Sequence, residues 1–337
     1  MASSPQAQGP SPAIIFDTLQ AYQRSVALRS GIDLDLFTAI AEGNKSVGAI
    51  AVRIKASEKG TRVLCDFLTM IGFLIKEGSE YSLTQDSAAF LNRHSPAYMG
   101  SMANFLVSPH TAALLENMTP IIRHGGALPS DDGALEPEHP MWVEFARSMA
   151  SLMQIPARQI AKEYAGSKPI KVLDISAGHG MYGLAFAKDN PNAKIVGVDW
   201  ANVLEVAKEN AAKAGVADRY STIPGSAFDV DLGSGYDIVL IPNFLHHFDA
   251  ATNEKFLKKV HAALAPGGMV ITAEFIPNED RISPPRDAMF SIQMLGTPAG
   301  DAYTFSELDR MFRNAGFTRN EMRELSPFPQ RIVVSQK

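Results

Sequence analysis

Cysteine is nearly absent: the 337-residue chain has one, Cys65. No intramolecular disulfide can form, and a multi-cysteine metal cluster is excluded. No other cluster with metal-ligand spacing is evident. No uncharged apolar run approaches the ~20 residues needed to span a bilayer. Met1 to Pro12 are small and polar, without a basic stretch followed by an apolar one, and read as a loose tail rather than a signal peptide. The expected location is therefore the cytoplasm. Repeats at solenoid periods are missing too. So is any cationic excess: 31 Lys and Arg stand against 36 Asp and Glu, a net charge of −5. That balance argues against nucleic acid as the main partner, because phosphate binding draws on a basic surface.

What is present is an ordinary globular composition, 46% apolar and 20% charged. At about 150 residues per domain the length suggests about two domains. The pattern changes near residue 165. Residues 1–12 form the tail, 13–164 a mainly helical domain and 165–337 an α/β domain. In the first, Val47–Ile54 and Thr61–Met70 read as helix, turn, helix, and Gly72–Ile75 with Tyr81–Thr84 as two short strands, the grammar of a winged helix. Loops follow around Gly125–Pro140. A further helix carries Trp142, Phe145, Met149, Leu152 and Met153 at helical spacing. From Pro169 onward, apolar strands alternate with helices, which predicts a buried, mostly parallel sheet with right-handed crossovers. Two closing strands, Asn320–Leu325 and Gln330–Ser335, joined around Pro327 and Pro329 with no helix between, suggest one antiparallel strand. Pro266-Gly267-Gly268 reads as a turn launching a strand from Met269 to Ile276.

Gly178-His179-Gly180-Met181-Tyr182-Gly183 matches G-x-G-x-x-G between a strand and a helix. Glycine permits a tight turn and close backbone approach, and the helix N-terminus favours negative charge. Asp199 ends the next strand, 21 residues beyond Gly178, where an acid can take two ribose hydroxyls. Both features fit NAD and S-adenosylmethionine equally. Asp174, four residues before Gly178, separates them. A pyrophosphate gains nothing from an acid at its side, whereas the ammonium of S-adenosylmethionine does. The alternative for Asp174 is a cap on the turn. Trp200 is placed either to lie on an adenine or to pack the second helix.

Val172 to Gly180 resembles motif I of the class I S-adenosylmethionine-dependent methyltransferases. The order of motifs resembles the small-molecule O-methyltransferases of the plant caffeate and the bacterial hydroxyneurosporene and acetylserotonin types. The resemblance implies a Rossmann-like domain with a mostly parallel seven-stranded sheet, one strand antiparallel, behind a winged-helix-like dimerisation domain, and hence a homodimer. It implies S-adenosylmethionine as donor and S-adenosylhomocysteine as product. The implied cofactor contacts are Asp174, Ser176, Gly178, Gly180, Asp199 and Trp200, with Asn243 after the fourth strand. Gly225-Ser226-Ala227-Phe228 falls on the adenine loop, where Ser226 replaces the family acid and Ala227 and Phe228 complete the contact.

Asn243 to Phe248 follows the fourth strand, at the sheet edge where parallel α/β folds bind ligands. Two histidines there suit proton chemistry near neutral pH. The resemblance places His246 on the general base, with His247 standing where the family has an acid and serving as second candidate. Glu274 falls on the glutamate that orients the base, and Asp301 lies beside Ala302, where a second family glutamate would fall. The acceptor-lining positions are Phe145, Met149, Met153, Met289, Phe290 and Met294, which suggest an apolar, aromatic acceptor. A phenol, with a pKa near 10, is within reach of a histidine base. Two rival readings are a NAD-dependent oxidoreductase and a winged-helix DNA-binding regulator that senses a ligand. The second draws on the cluster Lys45, Arg53, Lys55, Lys59 and Arg62.

Overall fold

The structure, a computed structural model, describes residues 10–128, 137–325 and 330–337. The chain divides into two units, Met1–Pro109 and His110–Lys337. In the first, helices α1 (Ala13–Asp33), α2 (Leu36–Ala41), α3 (Val47–Ile54) and α4 (Glu58–Met70) precede an antiparallel pair, β1 (Leu74–Glu77) and β2 (Glu80–Leu83). Short helices α5 (Gln85–Phe90) and α6 (Ala103–Leu106) follow. Ser46 and Ser57 start α3 and α4 by accepting from the backbone N–H groups of Ala49 and Gly60, donors that no helical carbonyl serves. Leu36, Phe37, Ile50, Leu68 and Tyr81 fill the core of this unit. The first half of α1 stays out of it: Ile14 and Leu19 are 74% and 76% exposed.

Helix α7 (Pro109–Glu116) starts on the last residue of the first unit and runs into the second, which continues with α8 (Met118–His124) and the long α9 (Pro140–Tyr164). Then come β3 (Ile170–Ile175), α10 (Met181–Asp189), β4 (Ala193–Asp199), α11 (Ala201–Lys213), β5 (Tyr220–Pro224) and β6 (Tyr236–Pro242). The chain closes with α12 (Ala250–Ala263), β7 (Leu264–Glu274), α13 (Pro285–Ala288), α14 (Phe290–Met294), α15 (Phe305–Asn314), β8 (Arg319–Glu324) and β9 (Arg331–Gln336). The sheet order is β5-β4-β3-β6-β7-β9-β8, with β9 antiparallel to both neighbours. Strand order reverses between β3 and β6, so a crevice opens beyond their carboxyl ends. The turn motif after β3 and the histidine turn after β6 both meet that crevice.

The largest departure of a strand boundary from the sequence reading is at the start of β7. β7 starts at Leu264, not Met269, because Leu264 already pairs with Tyr236. The register then shifts before Ile238 pairs with Met269, and Gly267 supplies the positive φ of +75° inside that irregularity. The Pro327 and Pro329 connection, most of the tail and part of the Gly125–Pro140 loop fall outside the described residues.

Candidate active site

Two carboxylates hold the glycine turn. Asp199 Oδ2 accepts from Gly178 N at 2.8 Å and Oδ1 from Trp200 N at 2.7 Å. Asp174 Oδ2 accepts from Gly183 N at 2.9 Å, whereas its Oδ1 is buried without a partner. Burial, and then the nearby Asp199, push the Asp174 carboxyl up to about 7 against the pull of the Gly183 N–H. Burial likewise raises Asp199 to about 6. Ser176 and Gly178 have φ of +53° and +56°, so the backbone doubles back between the two acids. Gly183 admits no side chain: a Cβ there would lie 2.6 Å from Ile195 Cγ2 and 2.9 Å from Asp174 Oδ2. The turn thus spends two N–H donors on carboxylates, and a diphosphate would meet two like charges.

Trp200 occupies the residue before α11 and packs with Trp142 and Val143 against Ala146, Val203 and Val206. The adenine-loop candidates are held from behind. Ser226 Oγ accepts from Phe228 N at 3.2 Å, and the Phe228 ring packs on Phe244, Phe248 and Phe256. Lys259 Nζ donates to the carbonyls of Ala227, Phe228 and Val230 at 3.0, 2.7 and 2.6 Å. The sequence reading missed this lysine because helical periodicity marks Lys258 and Lys259 alike as surface positions. Asn243 holds a φ of +53° at the end of β6, and its Oδ1 accepts from Gln330 Nε2.

His246 and Glu274 form a buried pair, 5% and 3% exposed. His246 Nδ1 lies 2.5 Å from Glu274 Oε2. Glu274 Oε1 accepts from the backbone N–H groups of Phe244 and Leu245 at 3.0 and 2.9 Å. A carboxylate already taking two N–H groups is an acceptor toward the imidazole, so we assign the proton to Nδ1 and the lone pair to Nε2. The His247 ring stands 4.3 Å from that of His246 and edge-on to Trp142 at 5.6 Å. Its Nδ1 is buried without a partner. Burial, and then His246, hold its pKa well below the ordinary value, so His247 is neutral at pH 7. Asp301 does not sit on either ring. Its carboxylate takes Arg281 Nη1 at 3.2 Å and Ala302 N at 2.8 Å, while its own N–H donates to the His246 carbonyl at 3.0 Å. The second acid expected beside the base is therefore spent on an arginine, and Asp301 fastens the histidine turn through its backbone.

Aromatic rings flank the pair. Phe290 meets His246 edge-on at 4.8 Å and stacks on Phe275 at 4.3 Å, a residue the sequence reading did not single out. Phe145 packs edge-on against Trp142 at 5.8 Å. Met149, Met153 and Met294 are buried, and Met153 Sδ receives the Tyr182 hydroxyl at 3.6 Å. Met289 departs from the expected lining set: it is 68% exposed. Within the first unit, two members of the basic cluster are neutralised, Arg53 by Glu42 and Asp35 and Arg62 by Asp66. Among the described residues no group of three or more His, Cys, Asp or Glu could hold a metal, and no helix is long and apolar enough to cross a membrane.

Comparison with known proteins selects among the readings. Residues 134–318 match the O-methyltransferase domain family and residues 16–93 the O-methyltransferase dimerisation domain family. A curated relative, 3-hydroxy-5-methyl-1-naphthoate 3-O-methyltransferase of Streptomyces sahachiroi, is 26% identical over 97% of this chain and 95% of its own. The crystal structure of a candidate O-methyltransferase from Nostoc punctiforme is 51% identical, with a TM-score of 0.94, covering 98% of this chain and all of that one. Human N-acetylserotonin methyltransferase in complex with S-adenosylmethionine shares the fold, with a TM-score of 0.86 at 19% identity over 99% of both chains. A nicotinamide-dependent oxidoreductase and a DNA-binding regulator both give way to a methyltransferase. The chain belongs to the O-methyltransferase family, whose members are S-adenosylmethionine-dependent.

Proposed function

We propose that this protein transfers a methyl group to a hydroxyl, phenolic in character, of a small and largely apolar acceptor, with His246 as general base. The buried His246–Glu274 pair carries the reading. With Nδ1–H committed to Glu274, only Nε2 of His246 can accept the acceptor's hydroxyl proton. Glu274 then stabilises the imidazolium and holds its ring orientation. Phe290, stacked on Phe275 and edge-on to His246, and Trp142, edge-on to His247 and Phe145, make aromatic surroundings for the two histidines that suit a flat ring. The Streptomyces sahachiroi relative is named for the 3-hydroxyl of a naphthoate, in keeping with a phenolic acceptor.

The residues at the turn fit S-adenosylmethionine. The unpartnered Asp174 Oδ1 suits its ammonium and Asp199 its ribose hydroxyls, with Ser176, Gly178 and Gly180 bringing backbone close. Trp200, Ser226, Ala227, Phe228 and Asn243 complete the set. When bound, the cofactor supplies an electrophilic methyl on a sulfonium, so the chain's own work is alignment and proton removal. The dimerisation match and the outward Ile14 and Leu19 of α1 support a homodimer through the first unit.

The test is methyl transfer from S-adenosylmethionine to a panel of phenols and aliphatic alcohols, followed by product mass. Phenols are expected to react and aliphatic alcohols not. His246→Ala should keep S-adenosylhomocysteine affinity within about twofold and lose at least about tenfold in turnover, since general bases contribute roughly 10²–10⁴-fold. Equal turnover in that variant would remove His246 from the role.

A further inference from the structure

We propose that His179 and Tyr182 are the donors that hold the carboxylate of the cofactor's amino-acid end, an inference that rests on the turn being an S-adenosylmethionine site. The turn suits the positive parts of that ligand and not its negative one. Asp174 and Asp199 both face it, and among the described residues no lysine or arginine pairs with either. An anionic group therefore needs donors that carry no charge of their own.

Two such donors stand together. His179 is 5% exposed, and its Nδ1 accepts from Met181 N at 3.1 Å. That bond puts the ring proton on Nε2. Burial lowers the His179 pKa to about 4, so the imidazole is neutral at physiological pH and its tautomer is set. Tyr182, 2% exposed, lies three residues on with its ring stacked toward that of His179, centroids 6.3 Å apart and planes 27° apart. Its hydroxyl is spent on Met153 Sδ at 3.6 Å, and a thioether is a weak acceptor. Asn243, which follows β6, and the carboxylates of Asp174 and Glu274 also act on this hydroxyl. A buried O–H with so poor a partner, beside a ring N–H fixed by its own backbone bond, makes a neutral two-donor clamp. The unpartnered Asp174 Oδ1 in the same turn is an independent mark that a polar ligand belongs there. Neutral donors can hold a carboxylate without drawing charge away from the two acids.

The experiment is calorimetric binding of S-adenosylhomocysteine and of its analogue lacking only the carboxylate, to wild type, Tyr182→Phe and His179→Gln. Wild type should prefer the intact ligand. Tyr182→Phe should weaken the intact ligand about tenfold and the decarboxylated one hardly at all, so that the preference collapses; a tenfold change corresponds to one charge-assisted hydrogen bond. His179→Gln should shrink the preference independently. The ratio of the two affinities should stay flat from about pH 6 to about pH 9, because both donors are neutral throughout and the titration of Asp174 is common to both ligands. Equal weakening of both ligands would make these residues merely structural and overturn the proposal, as would an unchanged preference. A preference that falls as pH rises would mean a cationic imidazole and overturn it too. If wild type binds neither ligand, the reading of the turn itself fails, and the proposal with it.

Discussion

Replacing Asp174 by Asn should stabilise the protein and weaken its ligand at the same time. The carboxyl has no exposed surface, one oxygen bonded to Gly183 N–H and the other bonded to nothing. Burial first, and Asp199 second, lift it to about 7. The unfolded chain holds an aspartate near 3.9, so the native state binds the extra proton. A raised native pKa means that no penalty exists below about pH 4. The penalty grows as pH climbs through the window to about 7 and is constant above it. At 1.36 kcal/mol per pH unit, that window amounts to about 4 kcal/mol at pH 8. Asn keeps an oxygen for Gly183 but leaves an N–H without a partner, which costs about 1–3 kcal/mol. The net gain at pH 8 is therefore roughly 1–3 kcal/mol, and it should vanish or reverse by about pH 5. Affinity for S-adenosylhomocysteine should fall at least about tenfold, because the charge that faces its ammonium is gone. Thermal unfolding at the two pH values and calorimetry at pH 8 read both effects. A loss of stability at pH 8, or unchanged affinity, would show that Asp174 only caps the turn and would refute the argument.

Other outcomes follow from the same geometry. Wild-type affinity for S-adenosylhomocysteine should rise between about pH 6 and about pH 8, as Asp174 ionises; a flat titration would contradict the ammonium contact. Glu274→Gln should lower turnover at least about tenfold while leaving S-adenosylhomocysteine affinity nearly unchanged in calorimetry, since the side chain meets His246 and two backbone N–H groups. Lys259→Met strips the cation from the carbonyls of Ala227, Phe228 and Val230, behind the loop proposed to meet adenine, and should raise the dissociation constant for adenosine and for S-adenosylhomocysteine by the same factor of about 3–10. Random duplex DNA should not be retained even below about 50 mM salt, where non-specific phosphate binding is strongest.

The fold and the centre of the site were legible where the chain obeys local rules. Asp174, Asp199 and Glu274 lie on strands and His246 just beyond one, and strand ends in a parallel sheet converge on one crevice, so their sequence positions already implied their meeting. Period-two and period-3.6 patterns marked the alternation of strands and helices. The misplaced or missed residues all depend on contacts between loops, or on bonds that periodicity does not encode. Asp301 was expected on the base, but Arg281, in a loop 20 residues earlier, takes its carboxylate. Met289 looked like a lining residue by composition, yet the short helices around it turn it outward. Lys259 hides in a helix whose exposed face is rich in lysine. The early start of β7 rests on one pair, Leu264 with Tyr236, formed across a glycine irregularity that reads locally as a turn. Tyr182 fell inside the G-x-G-x-x-G match as a variable position, and its contact with Met153 on α9 is one that periodicity does not encode.

Thermal unfolding with S-adenosylhomocysteine, with NADH and with neither tests the account most directly. Ligand at about 100 times its dissociation constant adds about 2.7 kcal/mol, enough to move the midpoint by several degrees. The account predicts a rise with S-adenosylhomocysteine alone, lost in Asp199→Ala. A rise with NADH alone would contradict it, and the roles given to the glycine turn and to His246 would have to be withdrawn.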